Sequence, residues 1–326
     1  MSAPLVLFGY TLLLGTLAAA VLRRAEWPDR APWLGIAVWQ AVSVSAVLAV
    51  VLGGAALVVP AVAFTTDVAA LIDACQMALR AQYATPGGVL VSGLGAGLAV
   101  GVGARGSCCL AAALVAAGRQ RRRQRDMLAL IARRDDALDA VVVDHDVPVV
   151  YCLPGRGRQI VLTSAALASL DAEQLQAVLA HERAHLRGRH HLVLAAAAGL
   201  ERAFAGVPLF RHAREQIARL VEMLADDAAA HRCERHAVAA ALVTLAEGSA
   251  PAAALAAGGP SALARVRRLL APARPLGRAR LVIGVVALAA LLSLPVLVAA
   301  APALEPLRMS FCPIDGVGAS GMPPTT

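Results

Sequence analysis

Four long apolar runs, at residues 4–22, 33–59, 89–118 and 281–304, constrain this chain more than any other feature of its sequence. As helices rising 1.5 Å per residue, each is long enough to cross a hydrocarbon core of ~30 Å, so the simplest reading is a four-span membrane protein. Composition agrees: 59% of the residues are hydrophobic and the mean hydropathy is +0.67, too apolar for a disordered chain. Six cysteines without regular spacing across 326 residues do not make a disulfide framework. The first run resembles a signal peptide at Ala18, Ala19 and Ala20. No basic residue precedes it, however, and Arg23 and Arg24 follow, so it is expected to be retained as a span.

All 30 basic residues are arginine, and the missing lysine excludes Schiff-base, P-loop and lysine-nucleophile chemistry. Arg23, Arg24 and Arg30 outnumber the acids between the first two runs, and Arg119, Arg121, Arg122, Arg123 and Arg125 follow the third directly. Segment 118–280 holds 24 arginines against 16 acids, a net charge of +8 that equals the charge of the whole chain. The positive-inside rule then predicts a cytoplasmic first loop and central segment, with the N-terminus, second loop and C-terminal tail outside. The basic run abuts an apolar one and lacks interleaved aromatics, which points to anionic lipid head groups and not to direct nucleic-acid contact. In the third run, Gly93, Gly97 and Gly101 recur every four residues, a pattern that lets another helix approach and predicts self-association. Arg105 in the same run reads either as snorkelling to the inner interface or as a signalling residue.

Three parts follow: spans at 1–118, a cytoplasmic domain at 119–280, and the fourth span with a short tail at 281–326. The domain is large enough for one core. An amphipathic helix is expected over 125–140 and short β-branched strands at 141–143, 147–153 and 160–163, the last two joined by the Pro154-Gly155 turn. Asp171, with Gln174 three positions on, caps a helix expected to reach about Ala203; a second runs from Pro208 to Ala230, with shorter ones over 238–247 and 262–270. The fold class is a mainly α membrane protein with a cytoplasmic α+β domain around a small sheet.

The chemistry lies on the two longer helices. His181-Glu182-Arg183-Ala184-His185 sets two imidazoles at i and i+4 on one helical face, where both can ligate one metal, with a carboxylate beside the first. For this composition, chance would produce the pattern about 0.005 times. Glu222 and Asp226, again at i and i+4, begin 37 residues after His185. Two antiparallel helices would bring Glu222 to the histidine face as third ligand and let Asp226 accept the free ring N–H of a ligand histidine, His181. Mixed nitrogen and oxygen ligands suit one Zn²⁺ per chain, with Glu182 as general base for peptide hydrolysis.

These residues, with Ile160-Val161-Leu162-Thr163 and Leu170-Asp171-Ala172-Glu173-Gln174-Leu175, resemble the BlaR/MecR family of membrane-embedded zinc metallopeptidases, gluzincins with a zincin-like domain. The related HtpX and CAAX-prenyl-protease group shares much of the pattern. The resemblance covers roughly 120–240 and implies His181, His185 and Glu222 as zinc ligands, Glu182 as base and Asp226 as the ligand-orienting carboxylate. It also implies that the strand ending near Thr163 is an edge to which substrate adds, and that the substrate is a DNA-binding repressor of the BlaI/MecI winged-helix type. Relatives that sense antibiotics carry an outer penicillin-binding domain with an S-x-x-K serine. The residues after the fourth run contain no such motif, so direct covalent sensing of β-lactams is not expected. An HtpX-like quality-control protease and a non-catalytic receptor that keeps the fold are the alternatives. His190 and His191 either reach the site to stabilise an oxyanion or form a solvated helix end. Cys108 and Cys109 are expected to pack in the third span and Cys152 and Cys233 to stay reduced, whereas Cys75 and Cys312 form a candidate outer pair.

Overall fold

A computed structural model describes residues 2–58, 87–155, 159–249, 255–272 and 275–309, together with positions 76, 77, 80 and 157. Cys75 and Cys312 lie outside these residues. The chain opens with α1 (Ser2–Leu13), a π-helical turn at Leu14–Ala18 and α2 (Ala19–Arg24), then α3 (Trp27–Arg30), α4 (Pro32–Val58) and the 44-residue α5 (Gly88–Ile131). After the sheet come α6 (Ser164–Ser169), α7 (Ala172–Arg187), α8 (His190–Ala203), α9 (Pro208–Ala230), α10 (Arg235–Ser249), α11 (Leu255–Leu270) and α12 (Arg278–Met309). Among the described residues four helices are long and apolar enough to cross a membrane, at Ala3–Arg24, Pro32–Val58, Gly88–Ile131 and Arg278–Ala301. At 1.5 Å per residue α5 is about twice as long as a hydrocarbon core is thick, so its arginine-rich end extends beyond one.

The chain divides into two compact units. The first comprises residues 1–10, 48–101 and 293–326. There the close approach of helices falls at Gly54 and Gly95: a Cβ on Gly95 would stand 2.7 Å from the Gly54 carbonyl oxygen. A Cβ on Gly93, Gly97 or Gly101 would meet no other helix within 4 Å among the described residues. The second unit, residues 11–47 and 102–292, holds the sheet and the candidate site.

The sheet has the order β1-β2-β4-β3, from β1 (Arg133–Asp135), β2 (Ala140–Val143), β3 (Val150–Leu153) and β4 (Gln159–Thr163). Strands β2 and β4 run parallel, while β1 and β3 pair antiparallel on either side. Two expectations fail here. The helix expected over 125–140 is instead the end of α5 followed by β1, because Asp135 accepts from the Leu138 N–H and Asp139 turns the chain at φ 51° into β2. The strand ending at Thr163 is central and not an edge. Its residues are apolar on both faces: Ile160 and Leu162 pack on Leu179 and Leu186 of α7, while Val161 packs on Leu128 of α5. Among the described residues the unpaired edge beside α7 belongs to β3.

Helix α7 starts at the expected capping box, with the Gln174 N–H 2.8 Å from the Asp171 carboxylate. It ends sixteen residues after Asp171 instead of running to Ala203, because Arg189 adopts a left-handed conformation at φ 49° and restarts the chain as α8. Helix α9 spans Pro208–Ala230 as the sequence predicts and packs against α7 and α8. Arg105 of α5 donates to the carbonyl of Ala203, 2.5 Å away, satisfying an otherwise orphaned group at the end of α8. The loop between the first two apolar helices is held at Asp29, whose carboxylate meets Arg219 at 2.8 Å and whose carbonyl accepts from Arg268 at 2.9 Å.

Candidate metal centre

Residues four apart on a helix lie one above the other, so α7 presents His181 and His185 side by side, with their Nε2 atoms 3.0 Å apart. On α9 the same spacing aligns Glu222 and Asp226, and the packing of α9 on α7 turns that pair toward the imidazoles. His181 Nε2 lies 3.5 Å from Glu222 Oε2, and His185 Nε2 lies 3.6 Å from Glu222 Oε1. A tetrahedral ion with bonds of ~2.0–2.1 Å holds its ligand atoms about 3.3–3.4 Å apart, and one donor atom from each of the three residues lies within 4.8 Å of the others, close enough for them to gather on one ion. His181, His185 and Glu222 are the group that can hold a metal among the described residues.

Each donor is held from behind. His181 Nδ1 lies 3.0 Å from Asp226 Oδ1, an ion-pair contact on the side of the ring away from the Nε2 that faces Glu222. His185 Nδ1 meets His190 Nδ1 at 3.0 Å, so its Nε2 is likewise turned inward. His190 therefore stands behind a ligand and not over the site, which removes the oxyanion role considered for it. The left-handed Arg189 and the absent side chain at Gly188 make this contact possible, since a Cβ on Gly188 would run into the His190 ring. His191 takes no part in the cluster.

Arg265 of α11 is the residue that sequence reasoning missed. Its guanidinium forks onto Asp226 with two contacts of 2.7 Å and reaches Glu222 Oε2 at 3.1 Å. One cation thus spans the carboxylate beside His181 and the carboxylate of the candidate ligand group. Its only trace in the sequence is a basic cluster, Arg265, Arg267 and Arg268, on an otherwise apolar helix. The Asp226 side chain is 1% exposed and that of Glu222 39%, so the cluster is closed behind and open in front.

The charges follow from these contacts. Burial alone would lower His181, but its bonds to Asp226 and Glu222 outweigh that and raise it to about 9. Burial and the neighbouring charge of His181 push His185 down to about 4. Burial would raise Asp226; the Arg265 fork and His181 instead hold it at about 2. Glu222, also opposed by burial, is held below the usual carboxylate range by His181 and Arg265. Glu182 behaves differently: burial, aided by Glu222, raises its carboxyl above the ordinary value despite His181 and hydrogen bonds from Cys152. Cys152, on β3, is pushed up to about 12 by burial and by Glu182, so it is a neutral thiol that donates to the carboxylate. A carboxyl of raised basicity beside a metal-ligand set suits proton transfer in water-dependent hydrolysis.

No curated protein and no solved structure matches the chain. Residues 116–213 match the model of peptidase family M48, a zinc metallopeptidase family; the matched segment includes His181, Glu182 and His185 and ends before Glu222 and Asp226. Over that segment the protein is similar to a membrane-associated metallopeptidase, and a His181, His185 and Glu222 group that could hold a metal is present among the described residues.

Proposed function

We propose that the protein is an integral-membrane zinc endopeptidase of the BlaR/MecR type that cleaves a cytoplasmic protein, a BlaI/MecI-type winged-helix repressor, as the output of a signalling pathway. The observation that carries this reading is the convergence of His181, His185 and Glu222 with Glu182 beside them and Asp226 and Arg265 behind. His181, His185 and Glu222 are the ligands. A bound zinc ion supplies Lewis-acid chemistry. Glu182 takes the proton of the attacking water on its carboxylate and passes it to the leaving amine, a role its raised pKa suits. Asp226 holds the His181 tautomer throughout, and Arg265 keeps Asp226 ionised.

Substrate pairs with β3. The Thr163 N–H bonds to the Val149 carbonyl, so alternation along this antiparallel pair turns the backbone groups of Val150 and Cys152 away from β4 toward the free edge. An extended peptide added there runs past Glu182. The catalytic domain, 119–280, lies on the cytoplasmic side by its arginine excess, with the N-terminus and tail outside. Self-association uses the open face of Gly93, Gly97 and Gly101, and no nucleic acid is bound directly. Glu182→Gln is expected to keep zinc bound and to lower cleavage of a co-expressed repressor by at least two orders of magnitude. Normal processing by that variant refutes the mechanism, and processing of misfolded membrane proteins in place of the repressor moves the reading to an HtpX-like quality-control protease.

A further inference from the structure

A cleft of about 700 Å³ opens between α5 and the last turn of α8, and its lining is divided by chemistry. Ala112, Val115 and Ala116 of α5 form an apolar floor; Arg119 and Arg123, one and two turns further along the same face, and Arg202 from the last turn of α8 supply three guanidinium groups. The two helices are held close here, since a Cβ on Gly199 would stand 3.0 Å from Leu110 Cα and Arg105 ties the end of α8 to α5. Among the described residues no carboxylate lies within ion-pair distance of Arg119, Arg123 or Arg202, although Arg134, Arg214, Arg219, Arg265 and Arg268 of the same unit each make one. Three cations left without a counter-charge beside an apolar floor are complementary to an amphiphile with an anionic head.

From this arrangement we infer that the cleft binds an anionic phospholipid of the leaflet next to the catalytic domain, its phosphate among Arg119, Arg123 and Arg202 and its acyl chain along Ala112, Val115 and Ala116. The apolar residues belong to the third apolar run and Arg119 and Arg123 follow it directly, so the polarity of that side of the cleft matches the direction in which the run leaves a bilayer. The inference rests on the membrane reading and is independent of the peptidase assignment.

The test titrates the purified full chain with phosphatidylglycerol and with phosphatidylcholine in mixed micelles, counting retained lipid by native mass spectrometry. Wild type is expected to retain phosphatidylglycerol preferentially. Each arginine removed should cost roughly fivefold in affinity, and Arg119→Gln, Arg123→Gln and Arg202→Gln together on the order of a hundredfold. A charge-matched triple of Arg122→Gln, Arg211→Gln and Arg232→Gln should change it less than about twofold, because those residues do not line the cleft. Ala116→Trp, which fills the apolar floor and keeps every charge, should also release the lipid, and it decides the matter if the arginine triple misfolds. Equal loss in both triples, equal retention of phosphatidylcholine, or displacement by millimolar inorganic phosphate each overturn the proposal. A wild-type chain released from membranes by alkaline carbonate sinks the membrane reading instead.

Discussion

Removing the Arg265 fork offers a quantitative test of how the site is held. In the metal-free protein, Asp226 is a buried carboxylate with an arginine fork and one histidine as partners. Its pKa of about 2, against an ordinary value of 3.8, corresponds to about 2 kcal/mol of stability. Because this pKa is depressed on folding, that stability is fully present above about pH 4 and disappears as the pH falls toward 2. Arg265→Gln leaves the ionised carboxylate with His181 alone and is expected to cost about 3 kcal/mol, the lower end for breaking a buried pair. Asp226→Asn frees Arg265, which still has Glu222 at 3.1 Å. The double variant replaces the ion pair with two neutral amides, so the single-variant losses should exceed the double-variant loss by about 2 kcal/mol. Chemical denaturation of the detergent-solubilised, metal-free chain, followed through tryptophan fluorescence, measures all four corners of the cycle. A coupling below about 0.5 kcal/mol would mean that Arg265 does not support Asp226, and the account of a braced histidine would fail.

Metal affinity should depend on pH with a slope of one proton. His181, held at about 9, must give up one, whereas His185 at about 4 and the depressed Glu222 are already free near neutrality. Zinc affinity should rise about tenfold per pH unit between pH 6 and 8, with one proton released in calorimetry; two protons or none would contradict the assigned charge states. Gly188→Ala should displace the His190 ring from His185 and weaken zinc binding by about 10–100-fold in chelator competition, close to the effect of His190→Ala. Undiminished affinity in both variants would show that His190 does not hold the ligand.

What the sequence determines is local. Four apolar runs, the Asp171 capping box, the length of α9 and the two i, i+4 pairs at His181/His185 and Glu222/Asp226 are all set by contacts within a turn or two of helix, where spacing alone fixes the geometry. Other features depend on neighbours distant in the chain. The run at Ile160 shows a buried strand but not which flank is covered; only the pairing with both β2 and β3 made it central and passed the free edge to β3. The left-handed Arg189, which ends α7 and sends His190 behind His185, carries no signal in a residue type that adopts that conformation rarely. Arg265 is one of 30 arginines and lies 39 residues from Asp226, so its identity as the partner emerged only when α11 packed on α9. Local propensities and periodicities are written in short segments; which cation neutralises a buried carboxylate is a property of how helices pack, and that is decided in three dimensions.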